Sequence, residues 1–161
     1  MEGVVTGKGV GLNMSIEGDE MSIRDDVIER LLKIPDEIEE AEKRCIDGQV
    51  RLDRIKRNSL EEARRILQRE EFEASAVAYG LDDPKAAKVK GRNAEIRKIE
   101  LGRFLSQNER MIAAQRIVNA VVKDIAAAEA DLARLESSLH HRQNELRAHI
   151  ALTQLLGGRD D

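Results

Sequence analysis

From Ile23 onward, apolar residues recur with a helical period. Leu31, Ile38, Cys45 and Leu52 lie seven positions apart, and Ile34, Ala41, Gly48 and Ile55 form a companion row. Two rows at this spacing, offset by three, make a coiled-coil seam. Pro35 interrupts it, and Asp36, Glu37, Glu39 and Glu40 follow directly. Proline in a first turn, with acids beside the positive end of the helix dipole, marks a restart. The pattern therefore predicts a short helix over residues 22–34, a kink, and a long helix over 35–79. After Ile55 the seam shifts to Leu60, Ala63 and Leu67, a stutter that relaxes the supercoil.

Gly80 is placed to cap the end of this helix. Asp83-Pro84 begins a single turn through Lys90, which Gly91 ends. Asn93 caps the last helix, predicted over 94–156 and closed by Gly157-Gly158. Its seam is the cleanest in the chain: Phe104, Met111, Val118, Ile125, Leu132, Leu139 and Leu146 recur at strict intervals of seven. The companion row is Ala114, Val121, Ala128 and Leu135, then Arg142 and His149, so the seam turns polar towards its end.

At 1.5 Å per residue, the two predicted arms span about 87 Å and about 95 Å. Equal arms joined by a short turn (80–93) predict an all-α fold, a long antiparallel coiled-coil-like hairpin over 22–157. Folding about position 86 or 87 pairs Ile55 with Val118, Leu52 with Val121, Cys45 with Ala128 and Ile38 with Leu135, and sets Gly48 against Ile125. Phe72, Tyr79 and Phe104 fall near the link, where they are expected to share one cluster. Ile112, Ile117, Val122, Ala126 and Ala127 widen the apolar face beyond one partner's reach. A homodimer forming a four-helix bundle is the simplest way to cover it.

Residues 1–21 break the pattern. Gly3, Gly7, Gly9, Gly11 and Gly18 carry too much backbone entropy for a stable helix, and no period-2 alternation suggests a strand. This segment is expected to be a disordered tail, and 158–161 a C-terminal tail. Ser22-Ile-Arg-Asp25 resembles a capping box just after Met21, so structure is expected to begin where a shorter reading frame could begin, at Met21 rather than Met14.

Composition agrees with exposed helices. The 161 residues are 36% charged and 2% aromatic, with two prolines and no tryptophan. No apolar run approaches the roughly 18 residues that cross a bilayer, and the start lacks the blocks of a signal peptide, so no membrane contact is expected. One cysteine leaves no intramolecular disulfide and makes a reducing, cytoplasmic setting the default. Cys45 sits in the seam row, where a small hydrophobe belongs.

The chemistry-bearing candidates are few. No Ser-His-Asp spacing, phosphate-binding glycine loop or Cys-x-x-Cys pair is present, so neither an enzyme nor a cofactor is expected. His141, Glu145 and His149 are spaced by four on one helical face, a pattern that can bind zinc, particularly where chains meet. A solvated polar end to the seam is the plainer reading. The turn is electrostatically distinct: Lys85, Lys88, Lys90, Arg92, Arg97, Lys98 and Arg103 stand against only Glu95 and Glu100, in a chain of net charge −4. Such a tip, beside a helix N-terminus, can hold phosphates, although no aromatic residue is interleaved for base stacking.

Residues 89–101, Val-Lys-Gly-Arg-Asn-Ala-Glu-Ile-Arg-Lys-Ile-Glu-Leu, resemble an element of small, largely uncharacterised helical-hairpin proteins of tailed bacteriophages. There, a Gly-Lys/Arg-Asn-Ala-Glu-x-Arg-Lys-x-x-Leu stretch links a charged first helix to a Leu/Ala-rich second one. Gly91, Arg92, Asn93, Ala94, Glu95, Arg97, Lys98 and Leu101 match it, and 35–156 follow the pattern loosely. The glycine-rich start and Pro35 lie outside it. The resemblance implies a protein encoded near phage replication and recombination functions, acting in the host cytoplasm, and it carries over no catalytic residue. Taken together, the expectation is a non-enzymatic, self-associating phage accessory or adaptor with a phage or host protein partner. The alternatives are a nucleic-acid-binding accessory of replication or recombination using the basic turn, and a metal-binding helical protein.

Overall fold

The computed structural model describes residues 14–157, which contain no strand and are helical except around the turn and at Asn108. Helix α1 (Met14–Arg54) passes through a π-helical turn (Ile55–Leu60) into α2 (Glu61–Tyr79). A single 3-10 turn (Pro84–Ala86) precedes α3 (Ala94–Gln107) and α4 (Glu109–Gly157). The chain divides into two compact units. A terminal unit joins Met1–Arg44 with Glu136–Asp161, and a turn unit comprises Cys45–Leu135. Residues 1–13 of the expected N-terminal tail and the expected tail 158–161 lie outside the described residues.

In the terminal unit, α1 and α4 pair antiparallel: Ile23 and Val27 line a recess of about 340 Å³ with Leu152, Leu155 and Leu156, while Arg30 meets Glu145. Ile34 is fully buried, at 0% exposure. The expected division into one helix ending at 34 and another starting at 35 is not found, because Pro35 lies inside a continuous α1. Proline removes one amide from the helix ladder and costs about 3 kcal/mol in an interior. Here the weakened turn is bracketed by side chains. Buried Ile34 anchors it, and Arg30 spans it to reach Glu37 with hydrogen bonds of 2.6 and 2.9 Å. The expected start at Ser22 also fails, since α1 begins at Met14 and Ser22–Asp25 is interior to it. Only Gly18 interrupts residues 14–21, and one interior glycine costs about 1 kcal/mol, too little to stop a helix.

In the turn unit, Leu52, Ala128 and Leu132 form the buried cluster, with Ile55 and Ile125 packed against it. The seam residues Met111, Val118, Val121 and Leu135 are half-buried, as are Leu31, Ile38, Leu139 and Leu146 in the terminal unit. The register differs from the expected one by about a heptad. Leu52 meets Ala128 and Leu132 rather than Val121, and Gly48 faces Leu132 and Leu135 rather than Ile125. Folding about 86–87 assumed uniform helices, and two features break that assumption. Asn108 takes an extended conformation (ψ 119°) and separates α3 from α4, where one helix over 94–156 was expected. The π turn falls where the seam shifts: Leu52 to Leu60, and Ile55 to Ala63, are eight residues apart instead of seven. A π turn takes up one extra residue, so both rows stay on the inward face, with Ala63, Ala74 and Ala78 buried along α2.

The expected aromatic cluster does not form. Phe72 is 74% exposed and Tyr79 is also outside, while Phe104 is half-buried. On α2 the buried face belongs to Ala74 and Ala78, which directs Phe72 and Tyr79 away from the core.

Candidate functional site

The turn is a built structure. Gly80 adopts φ +69°, Gly80 N–H donates to Val77 O (3.0 Å) and Leu81 N–H to Ala76 O (3.1 Å), which closes α2 as a Schellman motif. A side chain at Gly80 would also collide with Asp83 O at 2.8 Å and the Ala87 Cβ at 2.9 Å. The chain then folds back on α2. Lys88 and Val89 N–H both donate to Ala78 O, at 2.8 and 3.0 Å, and Val89 is buried. Asp83 Oδ1 accepts from Lys85 N–H (3.0 Å) at the head of the 3-10 turn, which is shorter than the expected turn through Lys90.

Asn93 caps α3 as its sequence position suggests: Oδ1 accepts from Glu95 N–H (2.7 Å) and Ile96 N–H (3.3 Å). Gly91 is needed for close approach, since a Cβ there would lie 2.5 Å from Ile96 Cγ2. Glu100 Oε2 accepts from both Lys90 and Gly91 N–H, at 2.9 and 3.0 Å, which ties the loop to α3. A second cap was missed by the heptad reading: Asn108 Oδ1 accepts from Met111 N–H at 3.1 Å. The local signal was Asn-Glu at 108–109, an N-cap residue followed by an acid, hidden under the strict spacing of Phe104 and Met111.

All seven cations singled out in the turn are exposed: Lys85, Lys88, Lys90, Arg92, Arg97, Lys98 and Arg103. Among the described residues none of them forms an ion pair, and Arg97 Nη1 donates only to Arg92 O, at 3.4 Å. Lys88 and Arg103 share an open cleft of about 620 Å³ with Glu100, Phe104, Gln107 and Asn108.

The proposed metal trio is not brought together as ligands. Glu145 is taken by guanidinium groups: Arg30 Nε and Nη2 donate to it at 2.6 and 3.0 Å, and Arg142 Nη1 at 3.2 Å. His149 Nδ1 lies 2.9 Å from the Glu145 backbone oxygen, and His141 is exposed. Arg142 also reaches Glu37, at 3.1 Å, so two arginines and two glutamates form one half-buried network in the terminal unit. Hydrogen bonds from Arg30, opposed by burial and aided by Arg142, bring the Glu145 carboxyl down to about 2. Arg30 lowers Glu37 in the same way, and its own pKa is raised by Glu145 first and Glu37 second. Among the described residues no group of three His, Cys, Asp or Glu side chains is arranged to hold a metal ion. Cys45 is half-buried in the seam row. No described helix is long and apolar enough to cross a membrane.

Comparison with family models, curated proteins and solved structures returns no match for this chain.

Proposed function

We propose that this chain is a non-enzymatic, self-associating helical adaptor that joins partner proteins through faces its own helices leave uncovered. One observation carries the reading. Among the described residues, half of the buried hydrophobic ones are alanines (Ala63, Ala74, Ala78, Ala114 and Ala128), while large apolar side chains lie outside on every helix. Leu32 and Phe72 are each 74% exposed and Leu81 71%; Ile112, Ile117 and Val122 line the outside of α4. Covering one such side chain is worth about 1.5–3 kcal/mol, so a few of them suffice to drive association. A homodimer is the simplest state. The likeness of residues 89–101 to the phage element supports an accessory role in a tailed bacteriophage, with a phage or host protein as the second partner.

The test is the solution mass. Light scattering should report about twice the 18.1 kDa chain mass. Ile117→Lys with Val122→Lys should lower that mass while leaving helicity unchanged, since both side chains are exposed in the single chain. A wild-type chain that stays monomeric at micromolar concentration overturns the reading.

A further inference from the structure

We propose that the basic turn of the turn unit docks the phosphate backbone of nucleic acid, a partner and a surface separate from those of self-association. Elsewhere among the described residues some cations, such as Lys33, Lys43, Lys56, Arg65 and Arg110, meet a carboxylate, and others, such as Arg57, Arg64 and Lys123, are scattered without one. In the turn, seven exposed cations meet none among the described residues. Two of the nearby carboxylates are spent on backbone: Asp83 Oδ1 holds Lys85 N–H, and Glu100 Oε2 holds Lys90 and Gly91 N–H, while Asp82 and Glu95 are exposed and pair with none of the seven cations. Asp83 and Glu100 thus shape the patch rather than neutralise it.

That shape is fixed before any partner arrives. The Schellman close at Gly80, the return of Lys88 and Val89 to Ala78 O, and the Asn93 cap hold the loop from both ends. A pre-formed loop does not have to be ordered on binding, which removes a main entropic penalty of association. The cations are spread over two elements, the loop and the first turns of α3, which suits a partner carrying a row of anions. The cleft between Lys88 and Arg103 adds the Gln107 and Asn108 amides as neutral groups able to face phosphate and sugar oxygens. Phe104, half-buried beside Arg103, lies at the edge of this cleft, and no aromatic side chain is interleaved among the seven cations to stack successive bases, so the contact is to backbone and reads no sequence. In a chain of net charge −4, this stretch carries a local excess of positive charge that attracts a polyanion.

Fluorescence anisotropy with the full chain and labelled duplex and single-stranded oligonucleotides tests it. For a duplex held by about four phosphate contacts, affinity should fall about a hundredfold between 50 and 200 mM salt. Replacing Lys88, Lys90, Arg92 and Lys98 together by Ala should weaken binding at least tenfold, with the circular dichroism melt unchanged. The salt slope of the wild type is a second readout, independent of whether that variant folds. No binding of either oligonucleotide at low salt overturns the proposal, as does a flat salt slope or equal binding by the variant. Capture by phosphatidylserine vesicles without capture of oligonucleotide also overturns it, in favour of a membrane surface. Solution mass recorded on the same samples reports self-association separately, so either proposal can fail alone.

Discussion

Arg30 grips Glu145 with two hydrogen bonds, from Nε at 2.6 Å and Nη2 at 3.0 Å, across 115 positions of sequence. The same guanidinium holds both oxygens of Glu37, two residues beyond Pro35. A planar fork able to serve two carboxylates at once belongs to arginine alone among the cationic side chains. This residue therefore ties α1 to α4 within the terminal unit and braces α1 where its ladder lacks an amide.

Arg30→Ala is expected to lower the thermal midpoint by a few degrees, and by more than Arg142→Ala, because Arg142 reaches the two glutamates through a single nitrogen. Arg30→Lys should recover only part of the loss, since an ammonium cannot make both forked contacts. Circular dichroism melts at neutral pH check the order. Equal effects of Arg30→Ala and Arg142→Ala would contradict it.

The network also sets an acid response. Glu145 titrates at about 2 in the fold, against an ordinary value of 4.5. A depressed folded pKa means that the unfolded chain takes up the proton first on acidification. The stabilisation is thus complete above about 4.5 and drains away as the pH falls towards 2, and Glu37 is displaced in the same direction. Melts recorded from neutral pH to pH 2 should show the wild type losing more stability over this window than Glu145→Gln. Parallel curves for the two proteins would remove Glu145 from the account.

Two glycines in the turn should resist substitution for different reasons. Gly80→Ala meets a left-handed backbone at about 1–2 kcal/mol, plus the Asp83 and Ala87 contacts. Gly91→Ala drives a methyl into Ile96 and should cost about 1–3 kcal/mol, typical of overpacking. Denaturant midpoints measure both. Gly91→Ala combined with Ile96→Ala should regain stability relative to Gly91→Ala alone, because the clash is with that side chain.

Leu132 packs against Leu52 and Ala128 and lies close to Gly48. Leu132→Ala is expected to cost about 2–5 kcal/mol, and Leu132→Asp more, since a carboxylate there has no partner. Chemical denaturation of the two variants should rank them in that order. Neutral behaviour of Leu132→Asp would displace Leu132 from the core.

The features legible in the sequence were those decided locally or by simple period. Gly80 and Asn93 cap helices through their own backbone freedom or side-chain oxygen, so their neighbours suffice to identify them. The seam rows face inward because a spacing of seven leaves little choice of face. Asn108 was hidden by that same regularity: Phe104 and Met111 keep the spacing of one helix while the backbone between them belongs to two. Pro35 misled because its ordinary effect is overridden by Arg30, Glu37 and Ile34, and no local rule announces a brace. The Arg30–Glu145 pair joins residues 115 positions apart, and no local spacing announces it. In the basic turn the cations could be counted from the sequence. Only the structure shows that Asp83 and Glu100 hold backbone amides rather than these side chains.

The π turn at Ile55–Leu60 has a consequence for how this chain can change length. An extra residue in a heptad row ordinarily forces either a loop or a rotated seam, and either would undo the pairing on one side. Here the surplus is absorbed as girth, and Leu52 on one side and Ala63 on the other both stay inside. Removing a single residue from this turn would narrow it to an α turn and restore unbroken sevens, with neither flank displaced. The segment is thus a slack point in an otherwise strictly counted helix, where a one-residue deletion can be inherited without repacking the turn unit.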